Sequence, residues 1–483
     1  MTWSHIKHAK WFDNPDLAVD YVIQLYNESV SKTYEAFEHF VKYNTVPKNY
    51  ENGCFYPFVG LTIAHENLFV DPSFAYGVIS EPGNYGSTLT APEIFDAYYR
   101  EQISLIMARH KVQVVVGYSD SPIPLPFVIE HTKSQFDVDE LSHLQSKFIL
   151  PDLKRINDDY VNATSVPDDY RPLSLFSAER VDLSLQRLQH YTGTPPRHFQ
   201  NFVLLTNYQR YIDEFISHIS KLIEQNKDED WELIGPSESI LASNKRSLTG
   251  LPEHLPQMPA YHFKQGNRNG ITFVNIGVGP SNAKTITDHI AVLRPHCWLM
   301  LGHCAGLRAS QALGDYVLAD GYVREDHVLD GDLPNWVPIP PIAEIQQALQ
   351  KAVLQVIGKR EGELKSAIRT GTVLTTDNRN WELQSTALYE RFRQSRAIAV
   401  DMESATLAAN GFRFRVPYGT LLCVSDKPIH GVIKLHAMAN EFYRSRVHQH
   451  LHIGIEAMLI LKNMDPQRLH SRKLRGFDEC PFR

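Results

Sequence analysis

Cysteine is scarce and scattered: five residues, at positions 54, 297, 304, 423 and 480, form an odd set without paired spacing. That excludes a disulfide framework and fits a reducing compartment. No apolar run reaches the roughly 18 residues of a membrane span. The opening MTWSHIKHAKW has no apolar signal core, so the expected location is the cytoplasm. Basic excess is missing as well. Lys and Arg number 48 against 55 Asp and Glu, a net charge of −7. Broad attraction to nucleic acid or to an anionic membrane is therefore not expected, and any anion site has to be built locally. Repeats and low-complexity tracts are absent. What remains is 483 residues, 43% hydrophobic and 21% charged. This is enough for two or three domains with a large core.

The first third alternates helix and strand signals. Asn14-Pro15 opens a helical pattern in which Val22, Tyr26, Val30, Tyr34, Phe37 and Val41 share one face. Residues 58–64, 75–79 and 112–117 read as short strands, and residues 92–110 as a second helix. The polar run 157–172, NDDYVNATSVPDDYRP, reads as a linker. Beyond it, apolar runs at 202–205, 271–276, 297–301, 316–319, 372–374, 397–400 and 418–424 predict strands. Helical stretches fall between them, and a long helix over 437–461 closes the chain. Such alternation predicts a doubly wound α/β domain over 173–483, after a smaller α+β domain over 1–172. The basic run 468–475 reads as a solvated tail.

The stretch 397–431, AIAVDMESATLAANGFRFRVPYGTLLCVSDKPIHG, places two acids at strand ends, Glu403 and Asp426. In an open α/β sheet the carboxyl ends of strands are where ligands bind. Two carboxylates in one crevice can divide labour, one holding hydroxyls and one moving a proton. Taken singly, Glu403 fits a helix first turn and Asp426 fits an N-cap equally well. Gly277-Val278-Gly279 follows a strand and opens a helix, which suits a phosphate or a ribosyl oxygen, though the third glycine of a dinucleotide fingerprint is absent. His303-Cys304 invites a metal, but adjacent residues do not make a four-ligand site, and no metal is expected.

Met-Glu followed by a small residue, then Ser-Asp after a later strand, resembles the signature of the purine nucleoside phosphorylase and nucleosidase superfamily. The stretches HYTGTP at 190–195, NIGVGPSNAKT at 275–285, LRPHCWLMLGHCAGLR at 293–308, RTGTVLTTDNRNWEL at 369–383, VDMESAT and VPYGTLLCVSDKP together resemble the AMP nucleosidase family over nearly the whole chain. The resemblance implies a nucleoside phosphorylase-like catalytic domain, with a mixed central sheet flanked by helices, and hydrolysis of AMP to adenine and ribose 5-phosphate. It implies that Glu403 accepts the ribose hydroxyls, Met402 packs on the sugar and Asp426 protonates the departing base. The Gly279 loop would approach the sugar or an anion, and His303 would lie beside the ribose.

Related phosphorylases carry a phosphate-binding arginine near position 300. Here Met300 stands there and Arg308 follows the small-residue loop read over 302–306, as a ligand contact or as a surface ion pair. Either Arg379 or Trp381 would stack on the base, or Trp381 is plain core. Arg210 would meet the substrate phosphate or a regulatory one. His190, Thr192 and Thr194 would cradle phosphate, with a helix-end His as the alternative for His190. The chemistry would need no cofactor. MgATP would activate, phosphate would inhibit, and homohexamers would place sites near subunit interfaces. The N-terminal part would regulate or assemble. A phosphorylase and a non-catalytic nucleotide sensor are the competing functions.

Overall fold

The computed structural model describes residues 3–47, 50, 54–69, 71, 73–129, 142, 144–164, 170–433 and 436–483. Residues 165–169 of the expected linker lie outside this set. Contacts divide the chain into two compact units, Met1–Gln186 with Phe477–Arg483, and Arg187–Gly476.

The first unit holds a five-stranded sheet of order β1-β4-β2-β3-β5, with β1 Lys7–Phe12, β2 Phe55–Ile63, β3 Gly83–Thr88, β4 Val114–Pro122 and β5 Arg171–Pro172. Helices α1 (Pro15–Tyr43), α2 (Pro92–His110) and the short α3 (Leu125–Ile129) accompany it. The Asn14 side chain accepts the Asp16 and Leu17 amides at the start of α1, a cap worth about 1 kcal/mol. Val22 and Phe37 are buried as the pattern predicts, but Val41 is 61% exposed and Phe40 takes the inner position. Successive steps of four residues each overshoot a 3.6-residue turn, so by Val41 the stripe has rotated about 100° off the core face.

The strand expected over 75–79 does not form. Tyr76 and Ile79 are buried, yet Gly77 sits at φ +72° and donates its N–H to the Pro481 carbonyl. A left-handed residue cannot continue a strand. The extreme C-terminus is held in this same unit: Phe482 is buried and its N–H meets the Leu173 carbonyl. Leu469, His470 and Leu474 of the basic run are buried too, so that run is not a solvated tail.

The second unit is built on ten strands, β6 Phe202–Thr206, β7 Glu232–Gly235, β8 Ser239–Ser243, β9 Ala260–Lys264, β10 Ile271–Asn275, β11 Cys297–Gly306, β12 Tyr316–Glu325, β13 Ile368–Thr376, β14 Ala399–Asp401 and β15 Tyr418–Asp426. Helix α4 (Ala178–Thr192) contains the division between the units. Then come α5 (Gln209–Gln225), α6 (Pro280–Ile290), α7 (Ala343–Ile357), α8 (Leu364–Ala367), α9 (Ser385–Ser395), α10 (Ser404–Phe414), α11 (His436–Lys462) and α12 (Pro466–Leu469). The sheet runs β14-β13-β12-β15-β11-β6-β10-β9-β7-β8, with β14 also paired to β11. That extra pairing closes β11, β14, β13, β12 and β15 into a ring.

The centre is parallel: β15 beside β11, β11 beside β6, β6 beside β10. Their near-continuous apolar runs follow from burial on both faces. β11 is longer than its apolar run predicts. Residues 302–306, expected as a loop, continue the strand because β15 pairs along one edge and β14 along the other. The architecture is the mixed α/β sheet flanked by helices that the family resemblance implies, and its antiparallel pairs make it less regular than the doubly wound domain that strand–helix alternation predicts. Its use here is geometric: the carboxyl ends of four neighbouring parallel strands open at one edge.

Candidate active site

Glu403 occupies the N-cap position of α10 with φ −133°, and its side chain makes no cap. Asp401 does that job, its Oδ2 accepting the Ser404 N–H at 3.0 Å and the Ser404 hydroxyl, while its Oδ1 accepts Thr375 Oγ1 at 2.6 Å. With the helix end satisfied, Glu403 turns away and its Oε1 accepts the Gly279 N–H at 2.7 Å. Glu403 thus stands at the start of α10, as its first-turn reading has it, with its carboxylate turned to the glycine loop. The glycine turn and the acid, 124 residues apart in sequence, form one unit.

Asp426 ends β15. Ser425 Oγ donates to its Oδ1 at 2.6 Å. The 3-10 turn Pro428–His430 that follows has no side-chain cap, so the N-cap alternative for Asp426 falls away. The strands that end in Asp401 and Asp426 are not neighbours. β11 lies between them, hydrogen-bonded to both, so His303 to Ala305 form the floor between the acids.

A cavity of about 270 Å³ opens here, lined by Glu403, Asp426, Met402, His303, Arg379 and Trp381 of the expected residues. It is just below the roughly 300–1,000 Å³ of small-molecule sites. Cys304 lines it beside His303, and Asn207, Tyr208, Asp401, Ser425 and Glu382, which the sequence pattern does not mark, line it too. Asn207 and Tyr208 sit where β6 stops and α5 begins, a place the strand-end rule marks but residue type does not. The Tyr208 ring lies edge-on to His303 at 4.9 Å. Trp381 is 6% exposed and edge-on to Phe392, so it is core and cavity wall at once.

Other expected residues lie elsewhere. Arg308 is exposed, and its guanidinium donates to the Arg396 carbonyl at 2.8 Å, capping the end of α9 rather than forming an ion pair. Arg210 lies exposed in the first turn of α5, and His190 lies exposed in the last turn of α4. Thr192 and Thr194 are fully buried and hydrogen-bonded inward. The first donates to the Leu188 carbonyl, and the second pairs with His262 Nε2 at 2.9 Å. Their hydroxyls serve the interior and do not line the cavity.

Electrostatics set the two buried acids apart from ordinary carboxylates. Burial first, and then the Asp401 charge, push the Glu403 carboxyl up to about 8, against hydrogen bonds from Gly279, Asn207 and Met402 that favour its ionised form. Burial likewise raises Asp401. Burial also pushes the Cys304 thiol well up, so it stays protonated and makes a poor nucleophile or metal ligand.

Gly279 is held at φ +113°, ψ 158°, a region almost closed to residues with a Cβ. Open space surrounds the place a Cβ would take, so strain alone opposes a side chain there. Gly279→Ala is expected to shift the N–H that faces Glu403 and lower kcat/KM about tenfold, roughly the 1.4 kcal/mol of one hydrogen bond. Steady-state kinetics on the folded variant check this.

Comparisons with known proteins converge. A family model described as bacterial AMP nucleoside phosphorylase N-terminus matches residues 17–172, and one described as phosphorylase superfamily matches residues 241–457. The chain is 46% identical over 476 residues to AMP nucleosidase of Escherichia coli K12, covering 97% of this chain and 98% of that protein, and equally to that of E. coli O157:H7. The crystal structure of AMP nucleosidase from Bacteroides thetaiotaomicron aligns at 29% identity and TM-score 0.43, over 59% of this chain and 98% of that one. Identity of this extent, over both units, establishes that the chain belongs to the AMP nucleosidase family of enzymes, within the phosphorylase superfamily.

Proposed function

We propose that the protein hydrolyses the N-glycosidic bond of AMP, releasing adenine and ribose 5-phosphate. The observation that carries this reading is that Glu403 and Asp426 line a single cavity. Cleavage of the bond builds positive charge on the sugar and negative charge on the base. Asp426 protonates the base and lets it leave. Glu403, in its ionised form, accepts the ribose hydroxyls, and its buried negative charge is favoured as the sugar becomes cationic. The acid therefore holds the transition state more tightly than the ground state. Met402 packs on the sugar, and either Arg379 or Trp381, both of which line the cavity, stacks on the base.

Water is the nucleophile in this reading. Met300, where related phosphorylases carry a phosphate-binding arginine, is an apolar residue buried in β11, and no charge there holds a phosphate against the sugar. Arg210 and His190, exposed at helix ends, are the candidates for the 5′-phosphate or for a regulatory anion in an assembled oligomer. Activation by MgATP, inhibition by phosphate, homohexamer assembly, and a regulatory role for residues 1–172 beside a catalytic domain over 173–483 complete the proposal.

The test is adenine release from AMP and from adenosine, each with and without phosphate and MgATP. We expect AMP to give adenine and ribose 5-phosphate without added phosphate, MgATP to speed it, and adenosine to react far more slowly. Turnover that requires phosphate and yields ribose 1,5-bisphosphate would overturn hydrolysis. AMP binding without adenine release would leave a sensor.

A further inference from the structure

Away from the cavity, helices α5 and α11 bring together four side chains that the proposed chemistry does not use. Glu214 and His218 are one helical turn apart on α5, and His448 and His452 are one turn apart on α11. Residues four apart share a helix face, so each helix contributes a pair at the same level. His448 Nδ1 lies 2.6 Å from Glu214 Oε1. The His448 and His452 ring centroids are 4.2 Å apart, and His218 and His452 are 4.3 Å apart. One ligand atom each from Glu214, His448 and His452 fall within 4.8 Å of one another.

We propose that Glu214, His448 and His452 form a binding site for a zinc-like divalent cation that joins α5 to α11. Two imidazoles and a carboxylate are the borderline nitrogen and oxygen donors that zinc prefers, bound at about 2.0–2.2 Å. The present spacing needs only side-chain rotation to close on an ion. His452 Nε2 is buried and has no hydrogen-bond partner, an expensive state for an imidazole nitrogen that a metal would relieve. His218 is placed to supply a fourth ligand or to hold His452 in its rotamer.

The consequence is mechanical. α5 starts at the cavity with Tyr208, and its Tyr211 ring lies 5.6 Å from His303. On α11, His450 accepts or donates to the Tyr211 hydroxyl at 2.7 Å and meets the Leu421 carbonyl of β15 at 3.0 Å. A cation across Glu214, His448 and His452 fastens the two helices beside this link, about one turn past Tyr211 on α5 and at the positions flanking His450 on α11, and holds the cavity wall in place. Single-sequence inspection misses the site because its ligands lie 234 residues apart, and a metal reading centred on His303-Cys304 looks in the wrong place.

The test is zinc content and zinc affinity of the full, untagged chain, measured by equilibrium dialysis with metal analysis and by chelator competition. We expect one Zn²⁺ per chain, and a melting temperature raised by about 5 °C at a hundredfold excess over Kd. His448→Ala and Glu214→Gln should each weaken binding at least about tenfold. The His448 side chain is 60% exposed, so that variant folds normally, and the exposed His254→Ala serves as a control that binds like the parent. No zinc uptake, or uptake that survives both substitutions, overturns the proposal and leaves Glu214–His448 as an ordinary ion pair.

Discussion

Asp426→Asn is expected to lower kcat for adenine release by about 10²–10⁴-fold, the usual contribution of a positioned general acid, while AMP binds the variant within a small factor of the parent. The substitution keeps shape and keeps an oxygen for the Ser425 hydroxyl, so folding and the cavity wall are preserved. What it removes is a transferable proton. An asymmetric result distinguishes the acid from a merely structural residue. AMP, whose purine leaves poorly without protonation, should suffer the full loss. A ribosyl 5-phosphate bearing nitrophenolate, which departs as a stable anion, should suffer far less. Equal losses on both substrates, or full turnover of AMP, would remove Asp426 from the role. Equilibrium binding of AMP to the variant and single-turnover adenine release supply the two readouts.

The strands that carry the site could be read from the chain because they are buried on both faces, and such strands appear as unbroken apolar runs. The runs at 202–205, 297–301 and 418–424 mark β6, β11 and β15, and both acids sit at strand ends as the pattern predicts. Legibility fails where tertiary pairing overrides local composition. Residues 302–306 are small or polar and read as a loop, yet two flanking strands make them the floor of the cavity. It fails again where a residue type promises chemistry but local geometry directs it elsewhere. Arg308 caps a helix, and Thr192 and Thr194 satisfy the interior. Asn207, Tyr208 and Asp401 line the cavity although residue type alone gives them no role: the first two lie at a strand end, and Asp401 lies within VDMESAT beside the acid that draws the eye. The helix-capping role of Asp401 is what leaves Glu403 free, and that division of work between acids two residues apart is visible only once Ser404 and Gly279 are in place.

Glu403→Gln is expected to raise stability and destroy activity together, with the stability gain growing from pH 4.5 upward and complete above pH 8. The Glu403 carboxyl is 1% exposed and raised from 4.5 to about 8, by burial and then by the Asp401 charge. Between those two values the folded chain holds a proton that the unfolded chain has released, so wild-type stability falls as pH rises through that window. Below pH 4.5 the group costs nothing by this route, and above pH 8 the full penalty applies. The shift sets a ceiling of roughly 4–5 kcal/mol, and relaxation around the charge brings the expected effect to about 2 kcal/mol. Glutamine does not titrate and keeps an oxygen for the Gly279 N–H. Its melting temperature should match the wild type near pH 5 and exceed it by about 4–8 °C at pH 8.5. The same change removes the negative charge that faces the cationic sugar and gives one ribose hydroxyl a donor instead of an acceptor, so kcat/KM should fall by about 10²–10³-fold. Melting curves at the two pH values, paired with adenine-release kinetics, decide the matter. An equal melting difference at both pH values would mean that the buried charge is not the cause, and unchanged kcat/KM would mean that Glu403 does not touch the sugar.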